Sequence, residues 1–285
     1  MPDKPERVIN IHGHLRHDQD LPARVKVWEE WNVEKFVCLC LHKRWAAHGY
    51  FTNEDFLKIR DEYGEILLGF ADVRNKAGDA VDGPEDIERY AEQGFAGLKF
   101  LGPSHPMNHE MYFPVYAKAE ALGMPILFHT GILAKNKYNE TEYDVDSDNW
   151  RPYRFDRIAR RFPKLRLIGA HLGGPHCAEA LQMISSHENV YYDISGGGVS
   201  KRHQRKIMAA MLPHPSLESD MSDPADNPAL GWFAEKLLFG TDNPEPSVWV
   251  PAAETIMDKL EIPEESRRGF YYDRAAELLG LSGEF

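Results

Sequence analysis

Eight short apolar runs, recurring at intervals of roughly thirty residues, constrain this chain more than any other feature. They read RVINIHGH (7–14), KFVCLCLH (35–42), EILLGFADV (65–73), AGLKFLGP (96–103), MPILFHTG (124–131), LRLIGAHLG (165–173), NVYYDISG (189–196) and KLLFGTDNP (236–244). Most are almost continuously hydrophobic, the pattern of strands buried on both faces. Helix-like segments lie between them. LPARVKVWEEW (21–31), NEDFLKIRDEYG (53–64), MYFPVYAKAEALG (111–123), RFDRIARRFP (154–163), HCAEALQMISSH (176–187) and ESRRGFYYDRAAELLG (265–280) fit this plan. GPEDIERYAEQG (83–94) adds a Pro near its start, acids in its first turn and a Gly at its end. Strand–helix alternation repeated eight times predicts a parallel sheet, and eight is the number that closes a (β/α)₈ barrel. A doubly wound open sheet is the rival. No Gly-rich phosphate-binding turn follows the first run, where HGHLRH stands instead. The expected fold is therefore α/β, a single TIM barrel over residues 1–285.

Charge and cysteine usage narrow the function. The formal net charge is -12, which argues against nucleic-acid and anionic-membrane partners, since both require basic surface. A small-molecule substrate is the remaining expectation. The three cysteines, Cys38, Cys40 and Cys177, cannot form a disulfide framework and are expected to be reduced. MPDKPERVIN lacks the apolar core of a secretory leader, and no run approaches membrane-spanning length. A cytoplasmic location is expected. A homodimer is compatible with the aromatics in the loops and in GFYYDR (269–274), although core packing explains these equally well.

The ionisable residues at the strand ends carry the chemistry. His12 and His14 end the first run, Lys99 the fourth, His129 the fifth, His171 the sixth and Asp242 the eighth. In a closed barrel these ends converge on one mouth, where barrel enzymes build their sites. Residues two apart on a strand share a face, so His12 and His14 are expected to point the same way. Two unpaired imidazoles in an apolar interior are costly, and a metal removes that cost because neutral imidazole is a good ligand. The other histidines, such as His17, His105 and His187, are read as ordinary hydrogen-bonded residues. Two long connections, 132–153 and 196–235, and a shorter one rich in aromatics, 42–51, follow strands and are expected on the same face as substrate loops. SGGG (195–198) leaves the seventh run, either allowing close backbone approach or serving as a hinge.

This constellation resembles the amidohydrolase superfamily. RFPKLRLIGAHLGG, LLFGTDNP and DRAAELLGL resemble its amidohydrolase-related branch, which includes aminocarboxymuconate-semialdehyde decarboxylase and several lactone and amide hydrolases. The resemblance runs from residue 8 to about residue 281. It implies a metal-dependent barrel without an added β-sandwich. It implies His12, His14, His129 and Asp242 as metal ligands, and His171 as the residue that positions water or substrate or shuttles a proton. Asp273 stands where the branch would have Asn, a departure expected to affect a helix cap.

The resemblance implies hydrolysis of an ester, lactone or amide of a small carboxylic acid. A metal lowers the pKa of water and polarises a carbonyl. Asp242 would accept the proton of that water, and His171 would stabilise charge on the carbonyl oxygen. Non-oxidative decarboxylation on the same scaffold is the alternative, and a non-catalytic metal-binding protein the third reading. One divalent ion is expected, Zn²⁺ first, with Mn²⁺ and Fe²⁺ also suited. Lys99 is expected to bind a substrate carboxylate; carboxylated, it would instead bridge two metals. Arg44, Trp45 and Arg202 are further candidate substrate contacts.

Overall fold

The apolar runs form eight parallel strands, hydrogen-bonded in the order β1 to β8. These are β1 (Val8–Gly13), β2 (Val33–Leu39), β3 (Leu67–Asp72), β4 (Gly97–Phe100), β5 (Ile126–Phe128), β6 (Leu167–Gly169), β7 (Val190–Asp193) and β8 (Leu237–Leu238). The structure is a computed structural model and describes residues 4–43, 48–75, 80–133, 146–196, 207, 209–211 and 227–281. The last strand returns to the first. Ile11 N–H donates to Phe239 O at 3.0 Å, Thr241 N–H and Asp242 N–H both donate to His12 O, and His14 N–H donates to Asp242 O at 3.2 Å. A parallel bridge between Gly13 and Asp242 completes the seam. The architecture is a (β/α)₈ TIM barrel.

The strands are apolar on both faces because each face has a separate partner. Ile9, Ile11, Val37, Leu39, Leu127, Ile168 and Leu238 form one buried cluster with Ala275 and Leu278 of the C-terminal helix. Val8, Phe36, Cys38, Leu67, Leu98, Ile126, Leu167 and Val190 join a second, larger cluster with the surrounding helices. Helix Asn53–Tyr63 starts on a capping box in which Thr52 and Asp55 exchange bonds. Helix Pro84–Glu92 begins with Pro and carries Glu85 and Asp86 in its first turn.

Several expectations are corrected. The strands of the fifth, sixth and eighth runs are only three, three and two residues long, so His129, His171 and Asp242 follow the strands rather than end them. The expected helix 265–280 divides into Glu264–Arg268, a wide π turn over Gly269–Asp273, and Arg274–Leu279. The π turn buries Phe270, Tyr271 and Tyr272, so these aromatics belong to the core and offer no surface to a second subunit. Asp273 makes no cap hydrogen bond and instead pairs with Arg268 at 3.2 Å. The three cysteines are buried thiols. Among the described residues, no helix is long and apolar enough to cross a membrane.

Candidate metal centre

His12 and His14 reach one site, but strand alternation alone does not put them there. The register of β1 against β2 shifts between Asn10 and Gly13, which breaks the two-residue period. Their hydrogen bonds fix them instead. His12 is buried, and its Nδ1 lies 2.8 Å from Oδ2 of Asp193. His14 is also buried, with Nδ1 2.9 Å from the carbonyl oxygen of Leu39. A carbonyl can only accept, so His14 Nδ1 carries the proton and Nε2 the lone pair.

Asp193 can likewise only accept. Burial raises its pKa, but His12, His171 and Ser195 outweigh that and hold the carboxyl well below its usual range. It is ionised, so the Nδ1 of His12 is the donor of that bond and its Nε2 is turned away from Asp193. These two Nε2 atoms lie 3.7 and 3.4 Å from Oδ1 of Asp242. Burial, with Asp242 opposing and His12 and Lys99 assisting, pushes the His14 pKa down to about 3. Asp242 stays ionised, because His12, His171, His14 and Lys99 outweigh the effect of its burial. His14 Nε2 and Asp242 Oδ1 thus face each other with no proton to share, and His12 Nε2 points to the same oxygen. His12, His14 and Asp242 each offer a ligand atom within 4.8 Å of the others, and neutral nitrogen with ionised oxygen suits a divalent cation.

His129 stands beside this group. It is buried, and its Nε2 has no hydrogen-bond partner among the described residues. Burial, followed by the charges of His171, Lys99 and His12, holds its pKa well below the ordinary value. A buried neutral nitrogen without a donor is expensive unless something else fills that role. Its ring centroid lies 5.1 Å from that of His171, which in turn lies 5.0 Å from that of His12. Burial is the main cause that lowers the His171 pKa, to about 4. Lys99, on β4 opposite Asp72 of β3, is buried and acts electrostatically on His14, His129, His171 and Asp242. Arg44, Trp45 and Arg202 lie outside the described residues.

The backbone is strained where these side chains leave the barrel. His171 (φ 60°), Leu172 (φ 43°) and Asp242 (φ 65°) all occupy the left-handed region. Such residues cost about 1–3 kcal/mol each and persist only where their surroundings over-determine them. Those surroundings include residues the sequence reading passed over. Asn10 Nδ2 donates to Thr241 Oγ1 at 2.9 Å, and its Oδ1 accepts from Thr241 N–H and His12 N–H. Arg24 donates to His14 O and to Glu245, whose other oxygen accepts from Trp28 Nε1. Asp193 is the most consequential omission. It ends the seventh strand as an ionisable residue, the same signal that singled out Asp242.

A second group of potential ligands, His12, His171 and Asp193, also lies within 4.8 Å. Asp193 already accepts from His12 Nδ1, from His171 N–H and from the N–H and hydroxyl of Ser195. This second group is a hydrogen-bonded network behind the first.

The family model for amidohydrolases matches residues 42–281. No curated protein matches the sequence. Among solved structures, the chain is similar to a probable 2-pyrone-4,6-dicarboxylic acid hydrolase from Acinetobacter baumannii, crystallised with citric acid bound. That match has a TM-score of 0.61 at 12% identity and covers 97% of this chain and 100% of that one. It is also similar to dihydroorotase from Campylobacter jejuni, with a TM-score of 0.58, 18% identity and coverage of 98% and 85%. For 5-carboxyvanillate decarboxylase from Sphingomonas paucimobilis the TM-score is 0.56, the identity 14% and the coverage 93% and 84%. At these identities the likeness concerns the fold.

Proposed function

Because this chain belongs to the amidohydrolase family, we propose that it is a metal-dependent hydrolase acting on an ester, lactone or amide of a small carboxylic acid. The observation that carries this reading is the approach of two imidazole Nε2 atoms to the ionised Asp242, 3.4 and 3.7 Å from the same oxygen. His12, His14, His129 and Asp242 would hold one divalent ion. Zn²⁺ is the first choice for this donor set, and Mn²⁺ or Fe²⁺ also suit it. When bound, such an ion supplies a Lewis acid that polarises a carbonyl and acidifies a water.

The chain's own groups supply the rest. Asp242 is ionised and accepts a proton at its carboxylate. His171 is neutral near pH 7 and exchanges a proton at its ring. The buried Lys99 ammonium holds the substrate's carboxylate, where low dielectric strengthens the attraction. One ion is preferred over two, because in the second group of potential ligands the Asp193 oxygens are already taken by hydrogen bonds.

Decarboxylation is the second reading, favoured by the same Lys99, which can hold a carboxylate that is lost as well as one that is kept. Substrates separate the two. A panel of lactones, amides and aromatic acids, turned over in ¹⁸O-labelled water, should yield labelled acid without CO₂. Release of CO₂ without ¹⁸O incorporation would replace the hydrolase reading with the decarboxylase.

A further inference from the structure

We propose that Ser195, anchored by Asp193, is a positioning residue that fixes which nitrogen of His171 carries the proton and so makes that ring a proton acceptor. The inference rests on the reading of the site given above, with His171 beside the reacting atoms. It follows from a count of protons along one chain of hydrogen bonds.

Asp193 is fully buried and accepts at both oxygens. Its Oδ2 accepts from His12 Nδ1. Its Oδ1 accepts from the N–H of His171 at 3.0 Å and the N–H of Ser195 at 2.9 Å. Ser195 Oγ lies 2.5 Å from the same Oδ1. At that separation the hydroxyl proton must sit between the two oxygens, since two lone pairs would repel and the carboxylate has no proton. A serine hydroxyl has only that one proton. His171 Nδ1, 3.0 Å from Oγ, must therefore be the donor of its bond. A neutral imidazole protonated at Nδ1 has its lone pair on Nε2.

His171 in this state takes a proton or a hydrogen bond at Nε2 and has none there to give. This revises the sequence-based expectation that it stabilises charge on a carbonyl oxygen, a task that needs a donor. It suits taking up the proton that Asp242 accepts from the attacking water and passing it on to the leaving group. The chain SG in NVYYDISG serves this arrangement directly. A Cβ on Gly196 would fall 2.5 Å from His171 Nδ1, so only glycine lets the ring lie against Ser195. One buried carboxylate thus sets the proton positions of two rings 5.0 Å apart, His12 directly and His171 through a hydroxyl.

The test reads proton positions without relying on turnover. The full-length chain is labelled with ¹⁵N-histidine, and two-bond ¹⁵N–¹H spectra are recorded at pH 7.5 before and after addition of Zn²⁺. His171 is assigned with His171→Gln. In the metal-free protein, His171 should show a protonated Nδ1 and a bare Nε2. Ser195 Oγ also lies 3.3 Å from His12 Nδ1, but that nitrogen is held more closely, at 2.8 Å, by Asp193 Oδ2; in Ser195→Ala, His171 should therefore move to a mixture of the two forms while His12 keeps its own. Asp193→Asn should disturb both rings. Ser195→Thr, which keeps the hydroxyl, should restore the His171 pattern, and thermal unfolding should show each variant folded. With an active substrate, Ser195→Ala should lower kcat about tenfold to a hundredfold with little change in KM. A His171 pattern unchanged in Ser195→Ala, or a wild-type ring protonated at Nε2, would overturn the proposal. A protein that matches the spectra but hydrolyses nothing would instead overturn the hydrolase reading and leave the positioning role intact.

Discussion

His14 Nε2 and Asp242 Oδ1 face each other across 3.4 Å with no proton between them. The imidazole's one proton is committed to the carbonyl of Leu39 on the far side of the ring. Adding a second is opposed by burial, which sets the pKa at about 3. A lone pair held against an anion is repulsive, and a cation between them reverses the sign. We expect the purified protein to carry about one divalent ion per chain by elemental analysis. His14→Gln and Asp242→Asn should each lose the ion and at least about a hundredfold of activity. Chelation should abolish turnover, and added Zn²⁺, Mn²⁺ or Fe²⁺ should restore it. Full activity in metal-free His14→Gln would remove the metal from the mechanism.

The same burial predicts how the metal-free protein responds to acid. His14 and His171 titrate near pH 3 and 4 when folded, and near 6.5 when unfolded. Between those values the unfolded chain binds more protons than the folded one, so stability rises with pH and falls as pH is lowered. The loss begins as pH drops below about 6.5 and levels off below about 3–4, at up to about 1.4 kcal/mol per pH unit for each ring. Urea unfolding of the metal-free protein at pH 7.5, 6.0, 5.0 and 4.5 checks this. A midpoint that does not move from 7.5 to 4.5 would show that these rings are not held neutral. With metal bound the loss should shift to lower pH, because the ion competes with protons for the same nitrogens.

Lys99 separates one metal from two. As an ammonium it holds the substrate's carboxylate, so Lys99→Met should raise KM about tenfold to a hundredfold, the range for a charged hydrogen bond. Metal content should stay unchanged. Loss of metal in this variant would point to a carboxylated lysine acting as a ligand. Removing the cation should also raise the pKa values of His129 and His171, since Lys99 is among the charges that lower them.

The alternation of apolar runs made the barrel legible, because a strand buried on both faces leaves a continuous trace in sequence. The histidines and Asp242 were legible because charged groups stand out at the ends of such runs. What supports them was not. Asn10 reads as one polar residue inside a strand, and only the fold brings it to Thr241. Arg24 reads as a helix surface residue, yet it is buried and bonded to His14 O, Gln19 and Glu245. Partners distant in sequence leave no local period. Regular alternation predicts a shared direction for the β1 histidines, whereas the register shift between Asn10 and Gly13 leaves their hydrogen bonds to set it.

Gly196 tests how tightly the site is built. It lies at φ +94°, where an L side chain is strained, and an added methyl would meet His171 Nδ1 at 2.5 Å and Cγ at 2.9 Å. Both atoms belong to the ring, not to the end of a flexible side chain. Gly196→Ala must therefore displace His171 or the backbone after β7. The backbone cost is about 1 kcal/mol, which lowers stability without unfolding the protein. The displaced ring is the larger effect, because an error of about 1 Å in a reacting group can cost about a hundredfold in rate. We expect Gly196→Ala to unfold a few degrees earlier, to keep its metal on His12, His14, His129 and Asp242, and to lose about a hundredfold in kcat. Calorimetry, metal analysis and steady-state kinetics on one preparation read all three. Wild-type kcat in this variant would mean that His171 need not lie against Ser195, and that its contact there is packing alone.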